Sequence, residues 1–375
     1  MANILTALAP TLFSAAQQVS AEPFGVIKAI NASFDDKRVA KGDKVSVPIA
    51  PTSVPSDFVP GATASTGADA TADAVAVQIT ASKKTTWNLT GEQIRSLENG
   101  GNDQEWVRQM IAQGMRGLRN LAEADCAAAI KAGASRAYGT AGTTPFASDL
   151  SALTNARKIL QDNGAPLADL QFVGDTSCGL NLRNLGIIQQ AYQAGSDVER
   201  RTGEFLRQFG FQINESAGIM AHTIGTGTSY VTSGAKAIGD RTITLATGSG
   251  TVLGGDIATF AGDATKYVVN SGVAAPGDIK IGRPGARKAI STGIAMTIGA
   301  SYVPNLAFER SAVVGVMRPP VMPENPTINQ ILISDQYGLT YLMLDIAQYG
   351  QRTWELHLAW GFSAVQGEHI VLVLG

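Results

Sequence analysis

Histidine is the side chain best suited to proton transfer at neutral pH, and this sequence has three: His222, His357 and His369. His222 lies in Ala221-His222-Thr223, just ahead of a glycine-rich stretch. A hydrolase built on it would need a nucleophile presented on a sharp turn, and no G-x-S-x-G elbow is present, so a triad has no anchor. Glu355, His357, Glu368 and His369 are of the types that ligate zinc if two neighbouring strands bring the pairs together. The competing reading places them on the solvated face of a terminal sheet. Gly225-Thr226-Gly227 and Gly248-Ser249-Gly250 resemble phosphate loops only in composition: neither follows G-x-x-x-x-G-K-[ST] or G-x-G-x-x-G. Turns in a small β unit account for them. Gly255-Asp256 and Gly262-Asp263 lack the carboxylate spacing of a calcium loop and read as hairpin turns. Lys83-Lys84, Arg200-Arg201 and Arg287-Lys288 are basic pairs without interleaved aromatics, so none reads as a nucleic-acid surface. No residue is assigned a catalytic, cofactor-binding or metal-ligating role.

What remains is the chain that would position such groups. Its 375 residues exceed what one core usually organises, so two or three domains are expected. Hydrophobic residues make up 45%, while charged residues make up 16%, against about 25% in an average protein. Such a surface suits burial against other subunits. A formal net charge of −2 excludes a strong electrostatic footprint for nucleic acid. Cys126 and Cys178 read as buried small hydrophobes, in keeping with a reducing cytoplasm. Met1 to Ala21 is mildly apolar but has no Lys or Arg before Lys28, so the positive start of a signal peptide is missing. No apolar run reaches the ~18 residues of a membrane span. The expectation is a protein made and kept in solution.

Residues 1–20 carry Leu5, Leu8, Leu12, Phe13 and Ala16 on a helical stripe interrupted at Pro10. This amphipathic arm either packs on its own core or contacts a partner. Between Lys44 and Lys83 there is no Lys or Arg, and Pro48, Pro51, Pro55 and Pro60 break any helix. The flanks, Val45 to Val47 and Val75 to Thr80, alternate like strands. They predict a hairpin with a long tip that lacks its own core; an interdomain linker is the alternative. Asn102 and Asp103 open a helix with one face formed by Trp106, Val107, Met110, Ile111, Met115, Leu118, Leu121, Ala122, Cys126 and Ile130, closed by Gly133. Arg108, Arg116, Arg119, Glu123 and Asp125 are expected on its other side, as a solvated face or a polar subunit contact.

Residues 148–225 alternate helix and strand. Ser148 and Asp149 cap a helix stopped by Gly164, Leu170 to Gly174 is a strand, Thr176 begins another helix, and Phe211 to Ile213 returns as strand. From Gly225 to Gly285 there are 13 glycines in 61 residues, about twice the rate of the whole chain (41 in 375), which marks a change of architecture. Short β runs recur at Thr242–Leu245, Thr251–Leu253, Ile257–Phe260, Lys266–Val269 and Ile279–Ile281, predicting an inserted sandwich or barrel. Beyond it, Asn305 to Met317 reads as a strand ended by Arg318-Pro319-Pro320. Further strands follow around Ile331–Ile333, Leu339–Leu342, Trp354–Trp360 and Ile370–Leu374.

Several runs resemble the coat proteins of short-tailed bacteriophages: Met1 to Pro10, Ala141 to Phe146, Gly255 to Asp263 with Lys266 to Val269, and Asn305 to Arg310 with Arg318 to Pro320. The likeness runs in register over most of 1–320 and is less distinct over 321–375. It implies an α+β chain of the Hong Kong-type capsid fold carrying an inserted small β-barrel. It further implies an N-terminal arm (1–40), an extended β loop (41–88), a peripheral domain (89–147 and 301–375) with spine helix 102–133, an axial domain (148–225 and 286–300) and the barrel (226–285). The implied partners are copies of the chain in pentamers and hexamers, a scaffolding protein, a portal protein and double-stranded DNA held weakly inside; no cofactor or membrane is implied. The implied location is the virion capsid, assembled in the bacterial cytoplasm. A non-viral cargo shell of the same fold, a β-domain adhesion module and an enzyme using His222 are the competing readings.

Overall fold

The computed structural model describes residues 22–34, 38–49, 73–99, 103–189, 207–323, 328–335 and 337–375. The expected helix at residues 1–20, the hairpin tip and Arg200-Arg201 lie outside them. Two large sheets and one long helix organise the chain. The helix, α3 (Asp103–Gly133), follows α1 (Val26–Ala29) and α2 (Gly91–Asn99). At 31 residues it is roughly 46 Å long. Val107, Ile111, Met115, Leu118, Ala122, Cys126 and Ile130 recur in steps of three and four and are buried, as the periodicity predicts. Leu121, read as part of that face, is 42% exposed.

The first sheet has six strands: β1 (Asn31–Phe34), β4 (Ala81–Thr90), β15 (Val313–Arg318), β16 (Ile328–Ser334), β17 (Thr340–Gln348) and β18 (Gln351–Ala364). β18 is its axis. β4 pairs with it from Ala81↔Trp360 to Thr90↔Gln351, while β17 and then β15 share the opposite edge. Trp354, Leu356, Leu358 and Trp360 face α3 within one buried cluster. The alternate residues are not solvated as expected: His357 is 5% exposed and Ala359 fully buried, the latter clustered with Val314 and Val316 of β15 under Val39, Val77 and Ile79.

The second sheet has eleven strands. Its centre places β6 (Leu170–Gly174), β14 (Pro304–Glu309) and β19 (Ile370–Leu374) side by side, with β7 (Phe211–Glu215) outside β6 and β5 (Arg136–Tyr138) beside β19. Both faces are dry. Leu306, Phe308, Ile370, Leu372 and Leu374 join the cluster under α3, whereas Ala307, Val371 and Val373 face α4 (Ser151–Asp162) and α5 (Thr176–Asn184). The period-two alternation of a strand delivers each set to its own side. α4 begins after Leu150 rather than at Ser148, although the Asp149 carboxylate still accepts the Ser151 N–H at 2.8 Å. Gly164 (φ +77°) ends it: Gly164 N–H returns to Gln161 and Ala165 N–H to Leu160. Gly186–Gln189 forms a short α6.

Sequence reading and structure part at several places. Asn305 to Met317 is two strands in different sheets, divided by a 3-10 turn at Arg310–Ala312 that the Glu309 carboxylate caps by accepting Ser311 N–H. β4 lies within the span read as the projecting loop (41–88), yet it is integral to the first sheet. Phe24, Val26, Ile27, Ala29 and Ile30, in the span read as arm, are buried in the cluster under α3, and β1 pairs in parallel with β15. The flanks of the loop do pair: β2 (Lys44–Ile49) and β3 (Asp73–Gln78) form an antiparallel two-stranded sheet, from Lys44↔Gln78 to Ile49↔Asp73. That pairing favours the hairpin over the linker.

The glycine-rich region contributes β8 (Val231–Thr232), β9 (Thr242–Ala246), β10 (Ile257–Phe260), β11 (Asp263–Ser271) and β12 (Asp278–Ile281), with β13 (Met296–Ile298) pairing to β10. These strands continue the second sheet through β11 and β5 rather than standing apart from it. Thr251–Leu253 is no strand; Val252 makes a single bridge to Val273. The buried cluster of the region includes Ala286, Ile290 and Met296, past the expected end at 285.

Candidate functional site

The histidines and aspartates that the sequence singled out for chemistry have internal partners, whereas Oε2 of Glu368 is buried without one. Glu355 and His357 bond to each other, Oε2 to Nε2 at 2.9 Å, and Glu355 also receives Lys84 Nζ from β4 at 2.7 Å. Burial pushes the His357 imidazole below its ordinary pKa, against the pull of Glu355. His369 bonds Gln366 instead, in the 3-10 turn before β19, so the two Glu/His pairs do not converge. Among the described residues no cluster of three metal-ligating side chains forms.

The glycine stretches face one another. Gly227 N–H donates to Thr251 O at 2.8 Å, and Thr228 and Ser249 form a two-way backbone bridge. A Cβ on Gly248 would fall 2.6 Å from Thr228 O, and one on Gly250 would fall 2.3 Å from Thr226 O. The space a phosphate would need holds the opposing backbone. Asp263 accepts Thr265 N–H and the Tyr267 hydroxyl within the β10–β11 turn. Asp256 accepts Leu253 N–H at 2.7 Å and Gly225 N–H at 3.2 Å, and bonds His222 Nε2 at 2.9 Å. An open cleft of about 470 Å³ is lined by Arg136, Ile159 and Lys266, but Arg136 donates to Asn163 and Ile159 O, and Lys266 to Gly139 O.

The charges on α3 are where the sequence reading misses most. Arg119 is fully buried and Glu123 is 2% exposed, so both belong to the packed face of the helix. The Glu123 carboxylate accepts three successive backbone N–H groups, from Gly25 (2.9 Å), Val26 (2.7 Å) and Ile27 (3.1 Å), and the Ser216 hydroxyl at 2.7 Å. It thereby supplies the acceptors that the first turn of α1 lacks. Gly25 has to be glycine for this approach, since a Cβ there would stand 2.3 Å from Glu215 O. Upstream, Arg116 pairs with Glu22 and holds that carboxyl down at about 2. The Arg119 guanidinium lies over the rings of Phe24 (4.7 Å) and Tyr337 (5.0 Å), and all three of its nitrogens lack a hydrogen-bond partner. Asp125 accepts the Trp360 indole N–H at 2.9 Å, fastening the helix to β18. Only the spacing of Arg119 and Glu123 within the apolar rhythm hinted at burial; their partners lie about a hundred residues or more away in either direction.

The surfaces left over are strand edges and one hairpin. Among the described residues β2 and β3 pair only with each other, and Val77, Ile79 and, in part, Val45 are buried against the body. Among the described residues β4 has one paired edge, toward β18, and β16 one, toward β17. Unpaired edges of ten and seven residues are templates for another strand. No described helix is long and apolar enough to cross a membrane.

No protein-family profile matches this sequence, and no curated protein does. Solved structures do overlap with it. A Mycobacterium phage Che8 chain is 13% identical, covering 95% of this chain and 93% of its own, at a TM-score of 0.49. The capsid of cyanophage P-SCSP1u is also 13% identical over 95% and 89%, at 0.49. A virus-like particle from Pyrococcus furiosus is 9% identical over 97% and 96%, at 0.42. At such identities and scores the overlap does not itself assign a role.

Proposed function

We propose that this chain is the major capsid protein of a tailed bacteriophage, a structural protein that assembles with copies of itself into an icosahedral shell around double-stranded DNA. One observation carries the reading: among the described residues the β2–β3 hairpin is a two-stranded sheet that joins neither large sheet, with Val77 and Ile79 at its root buried against the body. Two strands alone are marginal in water, so such a ribbon makes sense when a neighbouring copy covers it. The resemblance of residues 1–320 to coat proteins supports the same conclusion independently, as do the unpaired edges of β4 and β16. Modest contacts suffice, because a closed shell repeats each of them in every copy.

On this reading the peripheral domain (89–147 and 301–375) holds α3 and most of the first sheet, and the axial domain (148–225 and 286–300) holds β6 and β7 with α4 and α5. The glycine-rich insert stabilises the folded monomer and sets subunit contacts. A scaffolding protein directs assembly, a portal occupies one vertex, and the particle forms in the host cytoplasm. The reading needs no catalysis. Electron microscopy of the expressed chain, alone and with its scaffolding protein, tests it. Rings, capsomers or shells are expected; discrete monomers at high concentration with scaffold supplied overturn it. Shells that close without any scaffold or portal favour a non-viral compartment instead.

A further inference from the structure

The insert meets the rest of the chain where His222 and Tyr302 touch, each N–H donating to the other's carbonyl, at 2.7 and 3.2 Å. The His222 ring, 6% exposed, is held there by three elements. Its Nε2 lies 2.9 Å from Oδ1 of Asp256, ahead of β10, and its Nδ1 lies 3.2 Å from Nζ of Lys131, in the last turn of α3. Tyr302 packs against it with ring centroids 5.3 Å apart and donates its hydroxyl to Gly255 O. Among the described residues these are the titratable groups that bond or stack against the ring.

The chemistry admits one protonation pattern. Asp256 is fully buried and accepts the N–H groups of Gly225 and Leu253, so it faces Nε2 as an acceptor. Lysine can only donate, so Nδ1 must accept and Nε2 must carry the ring proton. A second ring proton would set N–H against N–H across 3.2 Å. Gly255 (φ +97°) closes the side of this contact: a Cβ there would come within 3.1 Å of His222 Cε1 and 3.2 Å of Lys131 Cε. The geometry points to Lys131, His222 and Asp256 as a proton-operated lock at the neck of the insert. With neutral imidazole, helix, histidine and insert are bonded in series. With imidazolium, Lys131 is expelled from the junction and the side-chain bond between the end of α3 and His222 is lost. Lys131 is the partner that gives way, being less enclosed than Asp256. The lock does not depend on whether the chain builds a shell.

Amide hydrogen exchange of the full-length chain at about pH 7.5 and about pH 5, corrected for the chemical exchange rate, reads the lock directly. Protection of the Gly225 and Leu253 amides is expected to fall about tenfold or more at the lower pH, while Leu306 and Leu372 in the central sheet are unchanged. Lys131→Met should reverse the sign: without the opposing ammonium, imidazolium pairs with Asp256 and acidification tightens the neck. His222→Gln, whose amide can still donate to Asp256, should remove the pH dependence. Equal neck protection at both pH values in the wild type overturns the proposal, as does wild-type pH dependence in the Gln variant. Should that variant fail to fold, the sign in Lys131→Met decides.

Discussion

The insert and the hairpin are written in similar residues, rich in Gly, Ala, Thr and Ser and poor in charge, yet the first builds a core and the second does not. In the insert, Ile243 and Leu245 from β9, Phe260 from β10, Tyr267 and Val269 from β11, and Ile279 and Ile281 from β12 converge on one cluster. Each of these four strands gives only one or two of these side chains, and together they suffice. The hairpin has two strands, and among the described residues its buried side chains sit at the root, against Val314, Val316 and Ala359 of the first sheet. Strand count, more than composition, separates a unit that stabilises itself from one that needs a neighbour.

Substitutions break or sharpen that contrast, beginning with the insert. Phe260→Ala, at 2% exposure, should cost about 3–5 kcal/mol in denaturant unfolding. A loss under about 1 kcal/mol would mean the insert does not rely on its own core. Val77→Ala at the hairpin root should cost less, about 1.5–2.5 kcal/mol, because two methyl groups leave a smaller cluster. The first sheet, which carries that root, should also weaken in acid through His357. Its folded pKa lies below the ordinary imidazole value, so the unfolded chain binds the extra proton first and stability falls as pH drops below that value. Thermal melts from pH 8 to 5 should show this slope in the wild type and a shallower one in His357→Gln. Smallest of all, deleting residues 52–72 should change monomer stability by under about 0.5 kcal/mol while abolishing shells in micrographs. A large drop in melting temperature would place that segment inside the chain's own packing.

Local signals in the sequence were good guides where local physics decides. The three-and-four rhythm of α3, the Gly164 stop and the short strand runs at β6, β7 and β19 all correspond to observed elements. Long-range pairing was not legible. Nothing near Lys84 announces that β4 lies beside β18, some 270 residues later. Glu123 looks like a solvent charge until Gly25, Val26 and Ile27 arrive with three N–H groups. His222 was noticed for catalysis, but its partners at positions 131 and 256 form no recognisable spacing, and the site is too enclosed for a substrate. The break between β14 and β15 had one faint cue, a Glu309 positioned to cap Ser311.

The route of the chain out of the hairpin matters mechanically. β3 passes into β4 with only Ile79 and Thr80 between them, and β4 then lies alongside β18 for ten residues. Tension applied to the ribbon and directed along β4 is therefore met by many rungs acting in parallel, as in a lap joint, whereas a peeling load would open them one by one. A particle swelling under internal pressure could pull hard on such a tether before the sheet beneath it yields.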